Sequence, residues 1–308
     1  LTDNNSKFQS NKLSIHRTIS DTTNATPSKK NVVFILVESL SASFMKEFGN
    51  QQNITPFLDS LAQKSVFFDN LYATGTRTVR GMEAMTLCIP PTPGQSIVKR
   101  PENQNLFTVS NVFKSKGYNS NFFYGGDGYF DNMNAYFGGN GFTIYDRGRG
   151  SVLSDKIKTT RNNINDNEVT FENAWGICDE DIYSKMLNVA DEHHKNNKPF
   201  FNFVMTTSNH RPFTYPDNAI DIPSGSGREG AVKYTDYAIK KMFQKAKNKP
   251  WFKNTVFIII ADHCASSAGK DEIDVANYHI PAFIVNFPQE MNQKVSKQCS
   301  QIDVFPTF

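Results

Sequence analysis

The sequence predicts an α/β protein with a mostly parallel central sheet and helices on both faces. Three observations carry this expectation. Short apolar runs alternate with helix-length segments along most of the chain. Runs such as residues 32–37 and 256–260 are apolar throughout, as strands covered on both faces require. Both runs end abruptly in polar residues, Glu38 in one case and Asp262 with His263 in the other. The carboxyl ends of the strands are where an open α/β sheet presents its ligands.

Residues 1–30 are rich in Asn, Ser, Thr and Lys and read as a polar linker or loosely packed arm. The folded domain is expected from Asn31 to the end of the chain. "NVVFILVES" reads as a buried strand, "NITPFLDSLAQKS" as a helix opened by Pro56, and "SVFFDNLYA" as a second strand, which implies a β-α-β opening. "LFTVSNVFKSKGYNSNFFYGGD" repeats the arrangement, with Gly117 stopping a helix before a short aromatic strand. A helix through "CDEDIYSKMLNVADEHHK", the strand "PFFNFVMTTS", the helix "GAVKYTDYAIKKMFQKA" and the strand "TVFIIIADH" follow. Residues 125–167 and 209–230, rich in Gly, Asn and Pro, are expected as loops over one edge.

With 308 residues, 38% hydrophobic and 20% charged, the chain is an ordinary globular protein of one large domain. A net charge of +3 without any Lys/Arg block argues against nucleic acid and allows only a weak preference for anionic membrane surfaces. No apolar stretch is long enough to span a bilayer, and the start has no signal-peptide pattern. A first residue other than Met, and an ending on "QIDVFPTF" in mid-pattern, lead us to expect a fragment truncated at both ends. Cys88, Cys178, Cys264 and Cys299 are scattered with no C-x-x-C pair, which leaves disulfides and free thiols both open.

Two carboxylates and an imidazole at strand ends of one sheet could converge on a divalent cation such as Mn, Mg or Zn. The alternative is that Glu38, Asp262 and His263 each cap their own strand. "YATGTRTVRGMEA" adds hydroxyls and two arginines around glycines, which suits an oxyanion, with Arg77 or Arg80 as a fork for phosphate oxygens. A hydroxyl on a cation becomes a usable nucleophile. Spacing alone does not choose among Thr74, Thr76 and Thr78.

Together these segments resemble the lipoteichoic acid synthase and phosphoglycerol transferase family of the alkaline phosphatase/sulfatase superfamily. The resemblance runs from Asn31 to the end, in order, on "NVVFILVES", "TGTRTVRGMEA", "TTSNHRPF", "YTDYAI", "IIIADHCASSAGK", "YHIPAFI" and "SQIDVFPT". It implies an alkaline phosphatase/sulfatase-like fold and one divalent cation, usually manganese, on Glu38, Asp262, His263 and the hydroxyl of Thr78. It singles out Thr78 as the nucleophile. It also implies transfer of a phosphoglycerol group from a phospholipid such as phosphatidylglycerol to an acceptor hydroxyl on a cell-envelope glycan or polymer, through a covalent ester on that threonine. His210 matches the family's substrate-pocket histidine. His279 is expected behind the ligands or in packing, and His193 and His194 on a solvated helix face. The resemblance further implies a membrane anchor absent from this chain and a catalytic domain on the extracytoplasmic face of the bacterial cytoplasmic membrane.

The match departs from the lipoteichoic acid synthases where those enzymes carry a Trp and an Arg that grip the headgroup: this chain has Phe130 and Asn132. Asp127 and Tyr129 are expected to line the pocket instead. Around Thr78 the Val-Arg-Gly context looks more like the proteobacterial relatives. The rival readings are phosphoethanolamine transferase, sulfatase, phosphodiesterase, or a non-catalytic envelope binding module. "CIPPT" at Cys88 is similar to the C-x-P-x-R signature of formylglycine sulfatases, but Thr92 stands where the Arg is needed.

Overall fold

The computed structural model describes residues 29–148, 160–265, 274–287 and 293–307, so the expected linker lies outside the described residues except for Lys29 and Lys30. The regular elements in chain order begin with β1 (Asn31–Val37), α1 (Pro56–Ala62), β2 (Val66–Tyr72), α2 (Thr78–Leu87), α3 (Val109–Ser115) and β3 (Asn119–Tyr124). Next come α4 (Met133–Gly139), β4 (Thr143–Asp146), β5 (Arg161–Asn163), the pair β6 (Glu172–Asn173) and β7 (Gly176–Ile177), and α5 (Asp179–Lys195). The remainder is β8 (Phe200–Met205), α6 (Arg228–Ala246), β9 (Thr255–Ala261), β10 (His279–Val285), β11 (Lys294–Val295) and β12 (Cys299–Ser300).

One sheet runs in the order β11-β2-β10-β9-β1-β8-β3-β4-β5, with β12 also paired to β2. It is mostly parallel, as expected. The exception in its interior is β10, antiparallel to both β9 and β2. Pro281 has no N–H to give that interior strand, and the β10–β2 register shifts between Ile280 and Ala282 to accommodate it.

Successive phenylalanines show why the strands are apolar throughout. In β8, Phe201 stacks on Phe113 of α3 at 4.2 Å, whereas Phe200 faces His193 of α5 and Trp251. Alternate side chains of a strand point to opposite faces, so both faces carry helices. Phe203 extends the α3 side to Phe137 of α4, and Phe257 of β9 meets Phe243 of α6 on the other.

Two expectations are corrected. The opening is not a simple β-α-β unit: β2 runs in the same sense as β1, but β9 and β10 lie between them. Residues 125–167 are not a loop over one edge, because they contain α4, β4 and β5, which extend the sheet. Those elements are 7, 4 and 3 residues long, too short for their periodicity to stand out among Gly and Asn. No helix among the described residues is long and apolar enough to cross a membrane.

Candidate active site

β1 and β9 are paired in register up to Val37 opposite Ala261. The next residue on each strand is Glu38 on one and Asp262 on the other, so the sheet itself sets the two carboxylates side by side. With His263 they offer one ligand atom each, all within 4.8 Å of one another, and all three residues are buried. His263 Nε2 lies 3.3 Å from Asp262 Oδ2 and 3.7 Å from Glu38 Oε1.

The donor atoms suit a divalent cation. Asp262 Oδ1 accepts from the backbone N–H of Ser39 at 2.8 Å and of His263 at 2.7 Å, which fixes the carboxylate. Its Oδ2 is buried with no hydrogen-bond partner. A buried carboxylate oxygen left without a donor is costly unless something positive meets it. His263 Nδ1 is 2.7 Å from the Cys264 carbonyl, which can only accept, so Nδ1 carries the proton and Nε2 turns its lone pair toward the carboxylates. Burial, reinforced by Asp262, raises Glu38 from 4.5 to about 7. Burial pulls His263 down, but the facing Asp262 and Glu38 carboxylates outweigh it and leave it raised. Both shifts favour protonation, so protons compete with a cation for these two groups.

Thr78 is the first residue of α2, and its hydroxyl donates to Glu38 Oε2 at 3.2 Å. Gly81, one turn on, is what allows this approach. A Cβ there would sit 2.6 Å from the Asp262 carbonyl oxygen, so α2 can rest against the end of β9 only where a side chain is missing. Of the other two candidate threonines, Thr74 donates to Gln301 Oε1 at 3.2 Å and Thr76 lines the cavity mouth.

Residues of the remaining motifs hold the site in place. Gln301 donates to the carbonyls of Ala261 and Asp262, each at 2.8 Å, and accepts from Thr74 N, so it ties the β9 end to the loop before α2. Thr206 Oγ1 accepts from Glu38 N, and Asn209 donates to the Glu38 carbonyl. Asp179 at the start of α5 receives the N–H groups of Thr207 and Ser208. Asp236 of "YTDYAI" caps α1 through Phe57 N and Leu58 N.

Above the cluster opens a cavity of about 370 Å³ whose lining includes Glu38, Arg77, Thr78, His210 and His263. Burial lowers the His210 pKa against the opposing pull of Glu38, which keeps the imidazole neutral at neutral pH. Trp175, carried on the β6–β7 hairpin, packs against it with ring centroids 3.5 Å apart and the planes tilted by 31°. Three expected contacts are absent from this lining. Arg80 is paired with buried Glu83 at 2.9 Å and reaches the Gly94 carbonyl, facing away from the cluster. Asp127 accepts from Tyr129 N and from Arg161, and Tyr129 is 69% exposed. That turn carries their side chains outward and brings Phe130 and Asp131 into the lining instead.

Trp175, Asp131, Arg211 and Arg228 also line the cavity and were not anticipated. Arg211 sits next to His210 in "NHRPF", a signal available in the sequence; Trp175 and Arg228 lie in segments whose path only the fold reveals. His194 is exposed, but His193 is half-buried and 3.0 Å from Asn121 Nδ2, so the expectation of a solvated face fails for it. His279 stacks on Tyr72 and lies 2.7 Å from the Asp69 carbonyl. All four cysteines are free. Cys88 ends α2, ten residues from Thr78 and about 15 Å away along the helix. A formylglycine there would be out of reach of the cluster.

The family model that matches this chain, described as Sulfatase, covers residues 30–308. The chain belongs to the sulfatase family. Among relatives of this sulfatase-family domain is lipoteichoic acid synthase 2 of Bacillus subtilis, 27% identical over 91% of this chain and 44% of its own length. Another is phosphoglycerol transferase I of Escherichia fergusonii, 25% identical over 77% of this chain and 31% of its own length. The chain thus spans less than half the length of these curated relatives. A solved protein of the alkaline phosphatase superfamily from Vibrio parahaemolyticus is 37% identical, with a TM-score of 0.81 over 92% of this chain and 66% of that one. The lipoteichoic acid synthase LtaP of Listeria monocytogenes superposes with a TM-score of 0.74 at 20% identity, covering 91% of this chain and 71% of that one. This likeness supports the fold.

Proposed function

We propose that the domain transfers a phosphoglycerol group from phosphatidylglycerol to an acceptor hydroxyl on a cell-envelope glycan or polymer, with Thr78 as the covalent carrier. The observation that carries the reading is the Thr78 hydroxyl on Glu38 at 3.2 Å, beside an Asp262 oxygen with no hydrogen-bond partner and the His263 lone pair. Lipoteichoic acid synthases and phosphoglycerol transferases among the relatives support the substrate class.

Glu38, Asp262 and His263 would hold a divalent cation, manganese by resemblance, which would supply positive charge to ease loss of the Thr78 proton and to offset the charge of the phosphoryl oxygens. The chain's own groups do the rest. Thr78 Oγ1 forms a bond to phosphorus as the bond to the diacylglycerol oxygen breaks; its proton has Glu38 as the nearest acceptor and ends on the departing diacylglycerol oxygen. The N-terminus of α2, where Thr78 sits, and Arg77 at the cavity mouth favour the negative phosphoryl group. Neutral His210 is placed to take the proton of the incoming acceptor hydroxyl as that oxygen displaces Thr78 from phosphorus, and the proton ends on the departing Thr78 oxygen. On this reading the reaction takes place at the outer face of the bacterial cytoplasmic membrane, where the phospholipid donor lies and a membrane anchor holds the domain.

Intact mass after incubation with manganese and phosphatidylglycerol tests the reading. The expected result is a glycerophosphoryl adduct on wild type and none on Thr78→Ala. An adduct from phosphatidylethanolamine alone would move the assignment to a phosphoethanolamine transferase, and one that persists on Thr78→Ala would refute the nucleophile.

A further inference from the structure

Apart from Val275, the large apolar side chains exposed among the described residues gather at two places. Phe107, Val112 and Phe287 line an apolar groove of about 590 Å³, which reaches Val32 and Val256 at the starts of β1 and β9 and Cys88 at the end of α2. Tyr129 and Phe130 stand together at the opposite end of the sheet, 69% and 49% exposed, and Phe130 lines the cavity that holds Thr78. Water-exposed aromatic rings at the rim of a cavity mark a contact surface more often than a lone exposed leucine does.

The turn that presents these two rings is held from several sides. Asp127 accepts the Tyr129 N–H on its carboxylate at 2.9 Å and the Phe130 N–H on its carbonyl at 3.0 Å. Asp131 and Asn132 follow in the left-handed region, with φ of 54° and 62°, a conformation that Asp and Asn tolerate better than most residues. The Asp131 carboxylate is paired with Lys99 at 2.6 Å, and Asn132 donates to the Arg100 carbonyl at 3.2 Å. Phe130 meets Trp175 edge-on at 5.5 Å, which props its ring at the mouth while half of it stays in water.

Charge at this mouth is positive. Arg77 and Arg211 are exposed and Arg228 is partly so, and all three line the cavity. Of the acids in that lining, Glu38 belongs to the carboxylate–imidazole cluster and Asp131 is neutralised by Lys99. Aromatic rings beside exposed cations suit the headgroup layer of an anionic bilayer, where rings settle at the apolar boundary and cations meet lipid phosphates.

We propose that the Tyr129–Phe130 turn and the basic rim beside it form a docking surface for an anionic phospholipid bilayer, with the cavity opening onto the headgroups. The choice of a lipid surface as partner rests on the phospholipid donor proposed above. Docked this way, a headgroup reaches Thr78 while its acyl chains stay in the bilayer, so the cost of drawing them into water is avoided. The other apolar groove does not offer this. It lies at the starts of strands about 23 Å long whose far ends carry Glu38 and Asp262, so a bilayer seated there would leave the cavity facing away from its lipid.

Co-sedimentation with vesicles tests the surface on wild type, Tyr129→Ser, Phe130→Ser and Phe107→Ser, the last altering the other groove. Wild type is expected on vesicles of phosphatidylglycerol and far less on phosphatidylcholine. Partition should weaken by about fivefold or more in Tyr129→Ser and in Phe130→Ser and be retained in Phe107→Ser. No binding of wild type to phosphatidylglycerol vesicles, or loss in Phe107→Ser with retention in the two turn variants, would overturn the proposal. A second readout is the ratio of adduct rates on vesicle-borne and on soluble dihexanoyl phosphatidylglycerol, which should fall in Tyr129→Ser; an unchanged ratio would mean that the turn does not face the lipid. Absence of adduct from either lipid form, alongside vesicle binding that Tyr129→Ser weakens, would defeat the phosphotransferase reading and leave the docking surface standing.

Discussion

Thr78, Glu38, Asp262 and His263 meet because two strands stop at the same level and a helix begins against one of them. The carboxylates and the imidazole were legible as candidates, since the apolar runs 32–37 and 256–260 end in Glu and in Asp-His, but pattern alone left strand capping open as their role. The threonine was not legible from spacing, because three hydroxyls within five residues differ only in which way the chain turns before α2. Asp127 and Tyr129 were misplaced for a related reason: residue type says nothing about the direction in which a turn presents its side chains. Thr78→Ala should abolish the adduct yet change stability by less than about 1 kcal/mol, as thermal unfolding would report, since the residue is not part of the core. The pH dependence has a definite sign. Glu38, raised from 4.5 to about 7 in the folded protein, contributes stability to the metal-free form below about pH 4.5 that is lost as pH rises through about 7. Manganese must displace that proton and the one favoured on His263, so the thermal shift it produces should grow from pH 5.5 to pH 8. A shift that shrinks over this range would contradict the assignment.

At the scale of elements, α2 is placed by a missing side chain. Gly81→Ala would drive a methyl group to 2.6 Å from the Asp262 carbonyl oxygen and push the start of α2 off the end of β9. The expected outcome is loss of adduct formation together with weaker manganese binding, read by mass spectrometry and by titration. Asp236 does its work from a distance in sequence, holding α1 by two backbone N–H groups at 3.0 and 2.7 Å. Asp236→Ala should cost about 1–2 kcal/mol in denaturant unfolding without altering the cation site. The long elements, β1, α5, β8, α6 and β9, were readable because each is a full apolar run or an amphipathic helix. β4 and β5 were not, since three or four residues carry too little pattern, and the place of β10 between β9 and β2 is set by pairing that local sequence does not encode.

At the scale of the whole molecule, the sheet converts sequence separation into proximity: Ser39 and Asp262 are 223 residues apart, yet the backbone N–H of one donates to Oδ1 of the other. The segments that resembled a family but had no chemistry of their own turn out to be struts. Gln301, near the end of the chain, ties the β9 end to the loop before α2, and Gln301→Ala should destabilise the fold by about 1–3 kcal/mol by leaving buried backbone groups unpaired. The cluster closes only when the two strand ends and the loop after β9 are in place, so a cation bound there should stabilise the fold, by about 2.7 kcal/mol at a hundredfold excess over its dissociation constant. The most direct test of the account is therefore the stoichiometry of manganese bound at pH 8 by wild type beside Asp262→Asn. One equivalent on wild type and none on the folded variant is the predicted result. No manganese on wild type, or equal binding by both, would mean that Glu38, Asp262 and His263 are not a metal centre, and the role given to Thr78 would fall with them.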